Sequence, residues 1–134
     1  MKENGINNSG ELQSYFVKRV EKIISDKGKK MIGWDEILEG GLADGAAVMS
    51  WRGMQGGIEA ARSQHEVIMT PKEFVYLDYT QGDYSVENEI YADLSLEKAY
   101  SFDPMPNPNL FVDIEPNLIL GGQGNLWTEE VPSL

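Results

Sequence analysis

The spacing of apolar and polar positions along this chain changes several times, and each change marks an element. Across residues 10–27, "GELQSYFVKRVEKIISDK" places Leu12, Phe16, Val20, Ile23 and Ile24 on one helical face with charges opposite. An amphipathic helix is expected there, with Asn8 and Glu11 set as a capping box and Gly28 as its stop. Four short apolar runs read as strands: "KKMIGW" from Lys29 or Lys30, "AAVMSW" (46–51), "EVIMT" (66–70) and "NLILGGQGN" (117–125). "LEGGLADG" reads as a loop or partial helical turn, and "GGIEAARSQ" (56–64) as a short helix with Ile58 and Ala61 inward. From Pro71 to about Pro116 runs a long irregular connection, holding a brief helix in "SLEKAYSF" (95–102) that "DPMPNPN" ends.

The strands are apolar on both faces and are separated by helical or irregular crossovers, as in a parallel α/β sheet covered on both sides. An eight-stranded barrel takes roughly 250 residues. This chain has 134 residues and four strand units, so half of a (β/α)8 TIM barrel is expected, with a small open α/β sheet as the alternative. Its length suits one domain. Both ends read as cuts in a longer protein. Met1 precedes polar, linker-like residues that lead straight into a helix, and "NLWTEEVPSL" stops after an aromatic and acidic cluster.

Composition narrows the partners. A hydrophobic fraction of 41% and a charged fraction of 25% are those of a soluble globular chain. No apolar run approaches the roughly 18–20 residues of a membrane span, and "MKENGINNSGE" lacks the apolar core of a signal peptide. Asp plus Glu number 22 against 11 Lys plus Arg, a net charge of -11. Such a surface repels phosphate backbones and anionic lipid, which argues against nucleic acid and membranes and suits a neutral substrate. With no cysteine and only His65, there is no disulfide, no thiolate or multi-histidine metal site, and no triad needing a second imidazole.

The chemistry collects at strand ends: Trp34-Asp35-Glu36, Trp51-Arg52, Tyr76-Leu77-Asp78-Tyr79 and Trp127-Thr128-Glu129-Glu130. In a parallel α/β sheet those ends share one face, where active sites lie. All three tryptophans stand there beside ionisable groups. Flat indoles stack on the apolar faces of sugar rings while carboxylates and tyrosine hydroxyls bind sugar hydroxyls and amides, so a carbohydrate pocket is expected. If Trp34 points into the mouth, alternation turns Asp35 away and brings Glu36 back.

"KKMIGWDEILEGGL", "AAVMSWRG", "VIMTP…YLDY", "LEKAYSFDP" and "LWTEEV" resemble, in order, successive strand-end motifs of family 20 glycoside hydrolases, the β-N-acetylhexosaminidases. The resemblance covers nearly the whole chain from about residue 10 and corresponds to strands five to eight of the catalytic barrel. It implies that Trp34, Trp51 and Trp127 wall the subsite for a terminal N-acetylhexosamine and its acetamide. Tyr76 matches the catalytic tyrosine that bonds the acetamide oxygen, and Asp78 and Glu129 match carboxylates on sugar hydroxyls. The family often adds a tryptophan between its last two strands. Residues 79–117 hold none, only Tyr79, Tyr84, Tyr91 and Tyr100, which leaves a +1 platform unsupported.

The resemblance further implies substrate-assisted retaining catalysis without cofactor, on glycans ending in β-linked N-acetylglucosamine or N-acetylgalactosamine, in an exported parent protein. The family's Asp-Glu acid pair follows two glycines at the preceding strand. No G-G-D-E occurs here, so the pair is expected upstream and this chain alone inactive. Asp35 and Glu36 are then supports for Trp34, and Arg52 bonds a rim carboxylate or loop. His65 is expected to be solvated, and Glu130 to face the wall or solvent. Four strands cannot close a barrel, so self-association or pairing with the missing half is expected. Two alternatives stand beside this: a non-catalytic carbohydrate-binding or interaction module, and a two-carboxylate glycosidase using Glu36 and Glu129.

Overall fold

The computed structural model of the chain describes residues 5–83, 85 and 92–129. Helix α1 spans Ser9–Ser25 and is capped by Asn8, whose side-chain oxygen accepts from the Glu11 N–H at 2.9 Å. The Glu11 carboxylate reaches back to the Asn7 N–H at 2.8 Å, one residue earlier than a capping box requires. After the helix, Gly28 takes φ +67, a conformation glycine adopts without strain, and Lys29 N–H bonds the Ile24 carbonyl at 3.2 Å.

The buried side of α1 is rotated from the one its periodicity suggests, with Ile24 common to both. Ser14 is buried and Val17 and Ile24 pack on the core, whereas Leu12, Phe16 and Ile23 are exposed. Polar tethers set this rotation. The Ser14 hydroxyl donates to the Gly41 carbonyl at 2.5 Å, and the Gln13 amide to the Glu36 carbonyl at 3.1 Å. Gly40, at φ +83, lies so close to the Gly10 backbone that a side chain would collide there.

Strands β1 (Ile32–Trp34), β2 (Ala47–Ser50), β3 (Val67–Met69) and β4 (Ile119–Gly122) form one sheet in that order. Every neighbouring pair is parallel. Helix α2 (Gln55–Arg62) joins β2 to β3, and the short helices α3 (Lys72–Val75) and α4 (Leu96–Tyr100) interrupt the long connection. The strands are shorter than the apolar runs that announced them, although flanking residues still bond across the sheet: Met31 and Glu66 accept from the Ala47 and Val48 N–H groups, and Thr70 N–H donates to the Ser50 carbonyl.

Gly33, Val48, Val67 and Ile119 form one row across the sheet. Val48 and Val67 are fully buried in a cluster with Ile58, Ala60 and Ala61 of α2. Beside it runs the row of Trp34, Met49 and Ile68, none of them fully buried, and Ile32 is 50% exposed. The expectation of a sheet covered on both faces is therefore met on the helix side only. The long connection is less irregular than expected and feeds the core, with Leu94, Phe111 and Ile114 all buried. His65 is not free in solvent but half-buried, its Nδ1 2.8 Å from the Ala46 carbonyl oxygen.

Candidate active site

The strand ends meet as a parallel sheet dictates, and what each residue does there is set by the turn that follows its strand. After Trp34 the chain does not run on extended. It coils into a 3-10 turn over Asp35–Leu38, which sends the two adjacent carboxylates in different directions. Asp35 is buried behind the end of β2, where Oδ2 accepts from the Trp51 and Arg52 backbone N–H groups, both at 3.1 Å. Its Oδ1 accepts from Arg52 Nε at 2.6 Å. A second guanidinium nitrogen of Arg52 reaches Glu39 at 3.0 Å, and the bonds to Glu39 and then Asp35 raise the guanidinium pKa further. Arg52 thus bonds carboxylates of the preceding loop.

Glu36 turns the other way, toward a cavity, and both its oxygens lie 3.0 Å from Trp51 Nε1. The two carboxylates support Trp51, not Trp34 as the sequence suggested. The reason is the 3-10 turn, which carries both carboxylates across to the end of β2.

The cavity has a volume of about 550 Å³ and takes in Trp34, Trp51, Tyr76, Asp78, Trp127 and Glu129. All six residues picked from the sequence are brought together. Past β3 and β4 the sheet continues through an isolated pairing of Tyr76 with Asn125. Leu77 N–H donates to the Asn125 carbonyl at 2.7 Å, and Asn125 N–H to the Val75 carbonyl at 2.8 Å. This pairing sets Tyr76 beside Trp127, with ring centroids 6.3 Å apart. Tyr76 also stacks on Trp51 at 6.2 Å and 25°, and Trp127 meets Trp34 at 5.7 Å and 42°. The result is a continuous aromatic arc.

Electrostatics within the arc favour hydrogen-bond donation by Tyr76. Burial raises its hydroxyl pKa above the usual value, offset in part by a hydrogen bond with Trp127, so the hydroxyl keeps its proton at neutral pH. Burial, then the neighbouring Asp78, raises Tyr79 in the same direction. Asp78 is itself 8% exposed, and its Oδ1 has no hydrogen-bond partner among the described residues. A buried carboxylate oxygen left unpaired is costly. The Asp78 side chain borders the cavity, while Oδ1 itself is shielded from solvent.

Three further side chains line the same space. Tyr79, placed by the sequence at the strand end and weighed for an outer platform, packs tilted against Tyr76 at 5.5 Å and 57°. Lys72 was missed, and its Nζ sits 5.4 Å from the Trp51 ring centroid. Its signal was position, just after Pro71 at the end of β3. Glu36 entered as a support for Trp34 that alternation turns toward the mouth, and as a member of the two-carboxylate alternative. Tyr100 lies on α4, 91% exposed, and does not line the cavity, while Tyr84, Tyr91 and Glu130 fall outside the described residues. Among the described residues no group of three or more His, Asp or Glu could hold a metal ion, and no helix is long and apolar enough to cross a membrane.

Residues 1–133 match the family described as glycosyl hydrolase family 20, catalytic domain. A β-hexosaminidase of Porphyromonas gingivalis is 50% identical over 131 residues, covering 96% of this chain and 17% of that protein. A β-hexosaminidase of Vibrio furnissii is 33% identical, covering 98% of this chain and 22% of its own length. The chain therefore spans about a fifth of these relatives. Among solved structures, the family 20 exo-β-N-acetylglucosaminidase of Vibrio harveyi in complex with N-acetylglucosamine superposes with a TM-score of 0.82 at 31% identity. That match covers 99% of this chain and 21% of the other. The four-stranded parallel sheet is accordingly part of an α/β barrel, and the chain belongs to glycosyl hydrolase family 20.

Proposed function

We propose that this chain forms the acetamide-holding and hydroxyl-binding half of a β-N-acetylhexosaminidase site, which acts on glycans ending in N-acetylglucosamine or N-acetylgalactosamine. The carrying observation is the cavity itself, which three indoles, a protonated tyrosine and the carboxylates of Asp78 and Glu129 line together. In this reading Trp34, Trp51 and Trp127 wall the acetamide, Tyr76 donates to its oxygen, and Asp78 and Glu129 accept from ring hydroxyls.

Catalysis is substrate-assisted. The acetamide oxygen, held against the anomeric carbon, forms the new C–O bond as the glycosidic bond breaks, giving an oxazolinium. Water then opens that intermediate, and the product keeps the substrate's anomeric configuration. The aromatic arc contributes by orientation, since a freely rotating acetamide rarely presents its oxygen to the ring. Protonation of the leaving oxygen falls to an acid pair outside the motifs of this chain. Against a two-carboxylate mechanism stands the engagement of Glu36 with the Trp51 indole N–H, which lies 3.0 Å from each of its oxygens.

The test is hydrolysis of a chromogenic N-acetylglucosaminide by the full-length polypeptide bearing this segment and by the 134-residue chain alone. Turnover by the former and none by the latter is expected. Glu36-dependent turnover by the chain alone would overturn the reading.

A further inference from the structure

We infer that Glu36 is a positioning residue that fixes the Trp51 wall and thereby sets the size of N-acyl group the cavity accepts; this rests on the hexosaminidase reading above. Trp51 is held at two points. Its backbone N–H is bound by Asp35 at 3.1 Å, and its indole N–H by both oxygens of Glu36 at 3.0 Å. A ring anchored at the main chain and again at its far edge cannot swing about its side-chain torsions. The second anchor is charge-assisted, and such bonds are roughly twice as strong as neutral ones.

The anchor is itself braced. Glu36 sits in the 3-10 turn over Asp35–Leu38, where Ile37 is buried in the core and Leu38 packs against it. The Glu36 carbonyl also accepts from the Gln13 side chain of α1 at 3.1 Å. A supporting group that is rigid in its own right transmits position rather than slack. Tyr76 stacks on Trp51 at 6.2 Å, and Lys72 Nζ lies 5.4 Å from its ring centroid, so displacement of this indole disturbs the tyrosine aimed at the same acyl group.

Selectivity follows from rigidity. A fixed aromatic wall rejects an acyl chain one methylene too long, a discrimination on the order of 10- to 200-fold in a closed apolar pocket. A released wall moves aside and loses that discrimination, and with it the tight orientation of the shorter acyl group.

The experiment compares aryl 2-acetamido and 2-propionamido glucosides as substrates of the full-length enzyme and its Glu36→Gln and Glu36→Ala variants. The wild type is expected to prefer the acetamido substrate by about tenfold or more in kcat/KM. Glu36→Ala should bring the two toward parity, chiefly through lower kcat on the acetamido substrate. Glu36→Gln, whose amide oxygen still accepts from the indole, should keep the preference. Loss of activity in Glu36→Gln as deep as in Glu36→Ala would mark a proton-transfer role and overturn the proposal, as would an unchanged preference in Glu36→Ala. If Glu36→Ala folds poorly, Trp51→Phe removes the donor instead and must narrow the preference in the same way. A 1H–15N spectrum of the chain, with three indole N–H signals from its three tryptophans, reads the tether directly. The Trp51 signal should lose its exchange protection in Glu36→Ala and retain it in Glu36→Gln. Absence of wild-type turnover on the acetamido substrate would overturn the hexosaminidase reading and the selectivity with it, while the indole spectrum would still report the tether.

Discussion

The Asp35 carboxylate, 2% exposed, holds the backbone N–H of Trp51 at 3.1 Å. An acidic residue beside a glutamate at a strand end looks like half of a catalytic pair, yet its oxygens are occupied by the backbone and guanidinium of the next strand end. Its work is to fasten β1 to β2 at the mouth of the cavity.

Removing that fastener should cost stability before it costs chemistry. Asp35→Ala strands two backbone donors and half of a guanidinium pair, and a loss of about 3 kcal/mol is expected. Urea unfolding followed by tryptophan fluorescence measures it. A midpoint equal to that of the parent chain would show the contacts contribute nothing.

Asp78 should behave in the opposite way. Its Oδ1, without a hydrogen-bond partner among the described residues, is a burden on the folded chain, so Asp78→Asn is expected to leave thermal stability unchanged or raise it. The same change should weaken N-acetylglucosamine binding by roughly 10- to 100-fold, the worth of a hydrogen bond to a charged group. Because all three tryptophans border the cavity, a fluorescence titration gives the affinity. Loss of stability with affinity intact would contradict this role.

Tyr76 sets an alkaline limit. Burial favours its neutral form and raises its pKa above the ordinary 10.0. The stability this contributes is fully present below pH 10.0 and is lost as pH rises through the folded-state pKa. Phenolate absorbance should therefore show tyrosines titrating later than free tyrosine, and Tyr76→Phe should shrink that late component to the share of Tyr79. In the full-length enzyme, Tyr76→Phe should lower kcat by about 100- to 1,000-fold, the usual cost of losing one aimed donor.

The open face of the sheet predicts association. Ile32 is 50% exposed on the sheet, and on α1 Phe16 and Ile23 are 65% and 63% exposed, apolar surface that a partner would cover. The chain is expected to self-associate or to pair with the complementary part of the barrel, and Ile32→Lys to weaken this. Sedimentation velocity decides it: a clean monomer that unfolds cooperatively would count against the prediction.

Much of this arrangement was legible in the chain itself. Short apolar runs divided by crossovers announce parallel strands, and parallel strands bring their C-terminal ends to one face. Trp34, Trp51, Tyr76, Asp78, Trp127 and Glu129 could therefore be placed together without a coordinate. Periodicity reports which side of an element is apolar, and it is blind to polar partners far along the chain. The rotation of α1 depends on Ser14 reaching Gly41, and the tasks of Asp35 and Glu36 depend on donors at Trp51 and Arg52. Only the tertiary structure decided these, because a hydrogen bond is assigned by distance and direction in space, and neither is written in the local pattern of residues.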